Sequence, residues 1–367
     1  MSMMTALGRR ANRALGRVNL KLLRRTDWEL LHRSQIRYEQ LLHRLHIDET
    51  SLFAPTLNTS SVPADARDYL CPENPRLQDL IRRYRDLDHP VLRHSVWTDD
   101  YVGRQVDLQL FRGDLAYVYQ FLDLNIEVNY FVTFQYLNAL DELRIFDRIA
   151  EDSLFGANTL SIGGTIVSRD LLDSINEIYF LERALGLSSR TNFNVLDIGA
   201  GYGRFAHRLT KGLPDFGHVF CVDAVAISTF ICEYYLGFRG ADDRASVVPL
   251  DELDALLALQ PIDLAVNIHS FSECQIASIA AWLDIVTAHD VRYLFIVPNG
   301  PGTKGSRLLS TEGRAADGSE SEPRDFFPLI ADRGYELLIE EPKYREELVQ
   351  QYGVSPTRYY LFERPPH

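Results

Sequence analysis

The sequence predicts an α/β fold in which a mostly parallel β-sheet follows a mainly helical N-terminal extension. After Asn192, short apolar runs alternate with helical stretches, the pattern of a parallel sheet covered by helices on both faces. Before that point, apolar residues recur mainly at helical spacing. A glycine-rich turn directly follows the first of the C-terminal apolar runs, as in folds that bind a ligand at the carboxyl ends of their strands.

The C-terminal half is predicted as a domain over residues 191–367. Its first five strands are expected at 193–198, 219–222, 246–249, 264–268 and 293–297, with helices such as 225–236 and 275–287 between them. Two later runs, 335–340 and 358–362, are expected to add a terminal antiparallel pair. The prediction is therefore a parallel sheet that ends in at least one antiparallel strand.

The N-terminal half is predicted as two segments. Residues 1–74 form a basic helical segment followed by a linker, and residues 75–190 form the mainly helical extension, rich in aromatic rings. The extension is expected to shape a substrate pocket or to close over it, although any single ring is as simply explained as core. A basic amphipathic helix contacts an anionic membrane surface, mediates homo-oligomer formation or is merely solvated, and the sequence leaves these alternatives open.

Composition narrows the range of partners and compartments. The net charge of −13 argues against nucleic acid as a partner, because phosphate binding needs a positive surface. A neutral sugar or small metabolite fits better. The four cysteines form no CxxC pair, and no apolar run approaches the roughly 18 residues that span a bilayer. With no signal-peptide pattern either, we expect a cytoplasmic protein, peripheral to the membrane if its basic N-terminus binds lipid.

The first predicted strand runs into the sequence DIGAGYGR, from Asp197 to Arg204. Its glycines, Gly199, Gly201 and Gly203, have the spacing GxGxG instead of the GxGxxG of dinucleotide-binding folds. A side chain at Gly199 or Gly201 would occupy space that a ligand needs. Asp197 would repel a diphosphate and attract a cationic, amine-bearing cofactor. The motif therefore favours S-adenosylmethionine over NAD, and an NAD-dependent oxidoreductase is the rival reading.

Two further acids follow the next two predicted strands. Asp223 ends the second strand, about 20 residues after Gly203. In nucleotide-binding folds of this topology, an acid at this position accepts hydrogen bonds from ribose hydroxyls. Ala224, beside it, is expected to contact the same cofactor. Asp251 follows the third strand. It could hold an adenine amine or cap the helix that begins after it, and the sequence leaves both roles open.

The fourth strand leads into His269 and Glu273, which are the candidate catalytic residues. An alcohol is a poor nucleophile until its proton leaves, and histidine is the side chain whose pKa suits a general base near neutral pH. His269 could instead be structural, and Glu273 could cap the next helix together with its neighbouring serines. A magnesium site built from His269, Glu273 and another acid has no signature spacing.

Four segments resemble a family of bacterial sugar O-methyltransferases, which have the class I S-adenosylmethionine-dependent methyltransferase fold with an N-terminal extension. They are residues 111–118, 167–178, 197–203 and 267–273, within a resemblance that runs from Pro75 to the C-terminus. The resemblance implies a Rossmann-like sheet. It also implies methylation of a sugar hydroxyl on a glycan, glycolipid or glycosylated metabolite. A methyltransferase acting on nitrogen or a phenol, and a non-catalytic cofactor-binding scaffold, are the alternatives.

The resemblance also implies roles for residues outside the glycine-rich turn. Ser168 and Ser174 would lie on a segment that folds over the cofactor, and Asn267 would contact it. Four residues would lie on the substrate side of the pocket: Arg112, Asp114, Tyr117 and Arg169. The alternative for the charged members is that they form buried ion pairs that lock the extension to the core.

Overall fold

The structure is a computed structural model that describes residues 54–55, 62–93, 95–113, 116–118, 126–299, 306–312 and 322–365. These residues belong to one unit, Ala54–His367. The basic segment predicted over the first 47 residues, and Asp114, lie outside the described residues.

The described residues contain the following strands and helices. The strands are β1 (Ala54–Pro55), β2 (Thr159–Ile162), β3 (Thr165–Ser168), β4 (Asn194–Ile198), β5 (His218–Val222), β6 (Ala245–Val247), β7 (Leu264–Ile268), β8 (Tyr293–Val297), β9 (Glu336–Pro342) and β10 (Arg358–Glu363). The helices are α1 (Ala64–Tyr69), α2 (Pro75–Arg85), α3 (Asp99–Gln105), α4 (Ile126–Leu140), α5 (Ile145–Arg148), α6 (Arg169–Leu185), α7 (Arg204–Gly212), α8 (Ala226–Phe238), α9 (Leu253–Leu259), α10 (Ile276–Ala288), α11 (Phe327–Ala331) and α12 (Glu347–Tyr352).

The central element is a seven-stranded sheet with the order β6-β5-β4-β7-β8-β10-β9. Strands β4 to β8 are parallel, and β10 runs antiparallel to both of its neighbours. All five residues of β8 are buried, as expected for an apolar strand that is covered on both faces. The predicted α/β fold, with its parallel strands and antiparallel C-terminal pairing, is confirmed.

The helical extension contains a second, smaller sheet in the order β1-β2-β3. Its hairpin turns at Gly163 and Gly164, whose φ angles of 58° and 87° suit the tight turns that join two strands. The prediction of a mainly helical extension did not include this sheet, because each hairpin strand has only four residues. The glycine pair between two runs rich in Thr and Ile was the available signal. The structure also places helix α1 within the segment predicted as a linker.

Helix α6 joins the extension to the sheet domain. Its N-cap is Ser168, whose side chain accepts a hydrogen bond from the backbone N–H of Leu171 at 3.1 Å. The helix packs on α4 and α7 and buries acidic side chains, which are paired with basic ones. None of the helices among the described residues is both long and apolar enough to span a bilayer.

Candidate active site

A cleft opens at the carboxyl ends of β4, β5 and β7, where an open parallel sheet binds its ligands. It contains roughly 920 Å³ of space between its lining atoms, part of it open to solvent, within the range of small-molecule sites. Its lining includes many of the residues that the sequence predicts for a cofactor and a reaction: Tyr117, Asp197, Gly199, Ala200, Gly201, Asp223, Ala224, His269 and Glu273.

The glycine-rich turn is shaped by its packing against neighbouring side chains. Gly199 has a φ of 71°, and a Cβ atom there would lie 2.2 Å from Oγ of Ser270. At Gly201, a Cβ atom would lie 3.3 Å from the ring of Tyr117. Glycine is therefore needed at Gly199 for its backbone conformation and for the approach of the loop after β7, in addition to the ligand space that the sequence suggests.

Asp197 presents a carboxylate that the protein leaves incompletely bonded. Its side chain is buried, and Oδ2 has no hydrogen-bond partner among the described residues. Burial raises the pKa of Asp197 to about 7, with Glu177 and Asp223 adding to the increase and Arg204 opposing it. A buried carboxylate without a partner is costly, so a cationic group placed beside it would be strongly stabilised.

Asp223 is buried beside the turn and bonded to its backbone. Oδ2 accepts the N–H of Gly201 at 2.9 Å, and Oδ1 accepts the N–H of Val225 at 2.8 Å. Burial raises its pKa to about 7, and these backbone hydrogen bonds act in the opposite direction. A carboxylate has about four lone-pair sites, so Asp223 retains acceptor capacity for a ligand's hydroxyl groups.

His269 stands in a strained backbone conformation directly after β7. Its φ and ψ are 69° and −34°, and its N–H donates to the carbonyl of Val297 at 2.7 Å. Nδ1 is buried and has no hydrogen-bond partner among the described residues. Burial lowers the pKa of His269 to about 3, and the positive charges of Arg169 and Arg204 lower it further. The imidazole is therefore neutral near pH 7, and its surroundings disfavour the protonated form.

Glu273 is held from three directions. The indole N–H of Trp97 donates to Oε2 at 2.6 Å, and the amide of Asn299 donates to Oε1 at 3.3 Å. The hydroxyl of Ser95 donates to the backbone carbonyl of Glu273 at 2.7 Å. Two of these contacts come from the helical extension, which therefore forms part of the cleft wall.

Carboxyl groups outnumber cations in the described lining of the cleft. Asp197, Asp223 and Glu273 line it, and Arg204 is the cation among the described lining residues. The guanidinium of Arg204 is already paired with Glu177, at 2.9 Å and 3.0 Å. No group of three or more His, Cys, Asp or Glu side chains in the described part of the chain is arranged to hold a metal ion.

Several predicted site residues do not line the cleft, and the structure shows what they contact. Asn267 is fully buried and braces the turn: Nδ2 donates to the carbonyl of Ile198 at 2.9 Å, and Oδ1 accepts the N–H of Phe271 at 2.8 Å. Gly203 packs against α8, where a Cβ atom would lie 2.8 Å from Sγ of Cys232.

Four of the polar residues that the resemblance assigns to the cofactor or substrate belong to a network of ion pairs and hydrogen bonds instead of lining the cleft. Arg112 is fully buried and donates to Glu151 at 2.5 Å and to Asp152 at 2.9 Å. This is the arrangement that the alternative of a locking ion pair describes. The other three are bonded within the same region: Ser168 to Glu151, Ser174 to Arg204, and Arg169 to Asp173.

The structure adds cleft residues that the sequence analysis did not select. They are Trp97, Ala116, Tyr202, Arg204, Phe205, Val225, Ser228, Ile268, Ser270, Cys274 and Trp282. Trp97 stands next to Tyr117, with ring centroids 5.2 Å apart. For most of these residues, the only signal in the sequence was their position close to the predicted motifs. Trp97 lacked even that signal, because it lies about 100 residues away from the glycine-rich turn.

Similarity to known proteins is limited to solved structures, because no protein-family model and no curated protein matches the sequence significantly. A mitomycin 7-O-methyltransferase is 16% identical with a TM-score of 0.36, and the match covers 53% of this chain and 53% of that one. A magnesium protoporphyrin IX methyltransferase from Synechocystis PCC 6803, with bound S-adenosylhomocysteine, is 12% identical with a TM-score of 0.36, over 54% and 86% of the two chains.

A glycopeptide N-methyltransferase in complex with S-adenosylmethionine is 13% identical with a TM-score of 0.37, over 52% of this chain and 93% of that one. The chain spans about half the length of the mitomycin enzyme that it matches.

The strand order and the antiparallel β10 settle the fold class. The protein has a class I methyltransferase-like fold.

Proposed function

We propose that the protein is an S-adenosylmethionine-dependent methyltransferase. The observation that carries the proposal is the charge of the cleft, in which Asp197, Asp223 and Glu273 face a ligand and Arg204 is already paired. A ligand with a sulfonium and an ammonium group suits such a cleft. A dinucleotide would bring two phosphate charges into it, and these would be repelled.

The residues present fit this cofactor. Asp197 offers an unpaired carboxylate oxygen for the ammonium group, and Asp223 offers its remaining lone pairs for ribose hydroxyls. The turn from Gly199 to Gly201 leaves the backbone accessible to a ligand. When bound, the cofactor supplies an electrophilic methyl group to a nucleophile on the acceptor.

His269 is the general base of the proposed reaction. In this proposal its unbonded ring nitrogen accepts the proton of an acceptor hydroxyl as the oxygen attacks. Because burial and nearby positive charges lower the pKa of the imidazole to about 3, it is a weak base in the ligand-free protein. General-base catalysis contributes typically about 10²–10⁴-fold, whereas positioning two substrates contributes roughly 7–11 kcal/mol. Positioning is therefore the larger effect, and loss of His269 weakens turnover without abolishing it.

The proposed acceptor is a hydroxyl group of a sugar, on a glycan, a glycolipid or a glycosylated metabolite. The need for a base at an alcohol and the aromatic wall of Trp97 and Tyr117 support this choice. The negative charge of Glu273 also favours a neutral acceptor over an anionic one. The proposal assigns no metal ion to the reaction.

A radiolabelled methyl-transfer assay tests the proposal. The full-length protein is incubated with methyl-labelled S-adenosylmethionine and panels of sugars, amines and phenols, with heat-denatured protein as a control. We expect label to be incorporated into a sugar panel. Incorporation only into amines or phenols would replace the acceptor class. Cofactor binding without turnover on any panel would indicate a binding protein instead of an enzyme.

A further inference from the structure

Arg204 keeps hydrogen-bond donors after its pairing with Glu177. Nη1 donates to Glu177 at 2.9 Å and to Ser174 at 2.8 Å, which engages both of its hydrogens. Nη2 donates once, to Glu177 at 3.0 Å. A guanidinium has five N–H groups, so Nε–H and the second N–H of Nη2 remain for a ligand. The charge of Arg204 is therefore offset, whereas its capacity to donate hydrogen bonds is only partly used.

The side chain of Arg204 is accessible from the cleft. The residue lines the cleft, and 16% of its side-chain surface is exposed. The Nε atoms of Arg112, Arg208 and Arg239 are buried without a partner among the described residues, whereas Nε of Arg204 is not buried. A ligand in the cleft is thus able to contact the guanidinium.

The start of helix α7 adds a positive field at the same place. Arg204 is the first residue of this nine-residue helix, its N-cap is Gly203, and no side chain caps it. Phe205, the second residue, also lines the cleft. The first N–H groups of a helix have no partner within it and carry the positive end of the helix dipole. An anionic group that contacts Arg204 would therefore be stabilised by the start of α7 as well.

The glycine-rich turn itself offers few backbone donors to an anion. Four of its N–H groups donate within the protein, to two backbone carbonyls and to the carboxylate of Asp223, at 2.9 to 3.2 Å. They are the N–H groups of Gly199, Ala200, Gly201 and Gly203. The acids that line the cleft repel an anion. Arg204, directly after the turn, is thus the group best suited to bind one.

Two other arginines of the extension are engaged away from the cleft. Arg83 donates to both carboxylate oxygens of Asp251, at 2.7 Å and 2.6 Å, and Arg169 donates to Asp173 at 3.4 Å. None of these four residues belongs to the described lining of the cleft. Arg204 is therefore the arginine that a ligand in the described part of the cleft would meet.

We propose that Arg204 and the start of α7 bind the carboxylate of the cofactor's amino-acid end, while Asp197 binds its ammonium group. The inference rests on the proposed function, because it concerns the same cofactor. The two charged groups share one carbon atom of the cofactor, so their partners must lie close together. The positive charge of Arg204 counteracts the rise in the pKa of Asp197, as expected for neighbouring side chains.

Titration calorimetry on the full chain at pH 8 tests this with S-adenosylhomocysteine and its decarboxylated analogue, which keeps the amine. We expect the wild-type protein to bind the analogue at least about tenfold more weakly, because the analogue lacks the group that Arg204 binds. The double variant Arg204→Met with Glu177→Gln removes the cation without leaving a buried charge unpaired. In this variant the ratio of the two dissociation constants is expected to fall below about threefold.

Asp197→Asn is the matched control. Both ligands carry the amine, so this variant is expected to weaken both and to leave the ratio of their dissociation constants at about tenfold or more. Circular dichroism of each variant confirms that the fold is retained, and the comparison of the two ligands on the wild-type protein depends on no variant.

The outcomes separate this inference from the proposed function. A smaller ratio on the wild-type protein would overturn the inference and leave the methyltransferase proposal intact. A ratio that stays above about threefold in the double variant would do the same, because another group would then bind the carboxylate. A wild-type protein that binds neither ligand would overturn the proposed function, and the inference with it.

Discussion

The indole N–H of Trp97 donates a 2.6 Å hydrogen bond to the carboxylate of Glu273. This contact joins the helical extension to the loop after β7, and Asn299 engages the other carboxylate oxygen. Glu273 is thereby fixed in place, whereas Nδ1 of His269 has no partner among the described residues. In the proposed reaction the two candidate catalytic residues would have different tasks: His269 would accept the proton, and Glu273 would orient the acceptor.

Replacing Trp97 with phenylalanine tests this division. Trp97→Phe keeps an aromatic ring but removes the N–H, so Glu273 loses its shortest contact. We expect kcat to fall about tenfold or more, because a partly buried carboxylate that loses a donor costs about 1–3 kcal/mol. The affinity for S-adenosylhomocysteine is expected to stay unchanged.

A double-mutant cycle with Glu273→Gln supplies the control for that experiment. If Trp97 acts through Glu273, the double variant is no slower than the slower single variant. Losses that multiply would show that Trp97 acts independently of Glu273 and would refute the positioning role.

Substitutions of His269 should separate catalysis from stability. His269→Gly removes the base at a position with a φ of 69°, a conformation that glycine adopts without strain. We expect kcat to fall by about 10²–10⁴-fold. The free energy of unfolding, measured by urea denaturation, is expected to stay the same or to rise. A glycine variant that is clearly less stable than the wild type would contradict the strained conformation.

Asp197→Asn is expected to stabilise the ligand-free protein at pH 8. Because the folded-state pKa of Asp197 is raised to about 7, the native protein holds this proton more tightly than the unfolded chain does. Its contribution to stability is therefore full below about pH 4 and is lost as the pH rises through 7. We expect the variant to be about 1–4 kcal/mol more stable than the wild type at pH 8, and nearly equal to it at pH 4. A destabilised variant at pH 8 would argue against an uncompensated charge.

Cofactor affinity should depend on pH through the same carboxylates. Below pH 7 Asp197 and Asp223 become protonated, since the pKa of each is raised to about 7. The attraction for a cationic ligand is lost with the charge. We expect the dissociation constant of S-adenosylmethionine to rise by up to about tenfold per group for each unit below pH 7. Titrations from pH 5.5 to 8.5 measure this, and a flat profile would show that neither carboxylate binds the cation.

The sheet and the glycine-rich turn could be predicted because each depends on local sequence. The buried strands are short apolar runs, and the turn from Gly199 to Gly203 has a distinctive spacing next to two acids. The hairpin at Gly163 and Gly164 was missed, because the surrounding pattern is helical and each strand is short.

The walls of the cleft could not be predicted, since they depend on tertiary contacts between distant segments. Trp97 reaches Glu273 across 176 residues of chain, and Arg83 reaches Asp251 across 168. Arg112 shows the same limit for a residue that the sequence analysis did select. A charged residue in a recognisable motif suggests a ligand, whereas only the structure shows that its partners are the buried Glu151 and the partly exposed Asp152.

Titration calorimetry on the wild-type protein at pH 8 tests the central claim most directly. If the carboxylates of Asp197 and Asp223 select a positively charged methyl donor, S-adenosylmethionine and S-adenosylhomocysteine will release or absorb measurable heat and NAD will not. Asp197→Asn will weaken that binding at least about tenfold. Binding of NAD, without any response to either sulfur-containing ligand, would contradict the account.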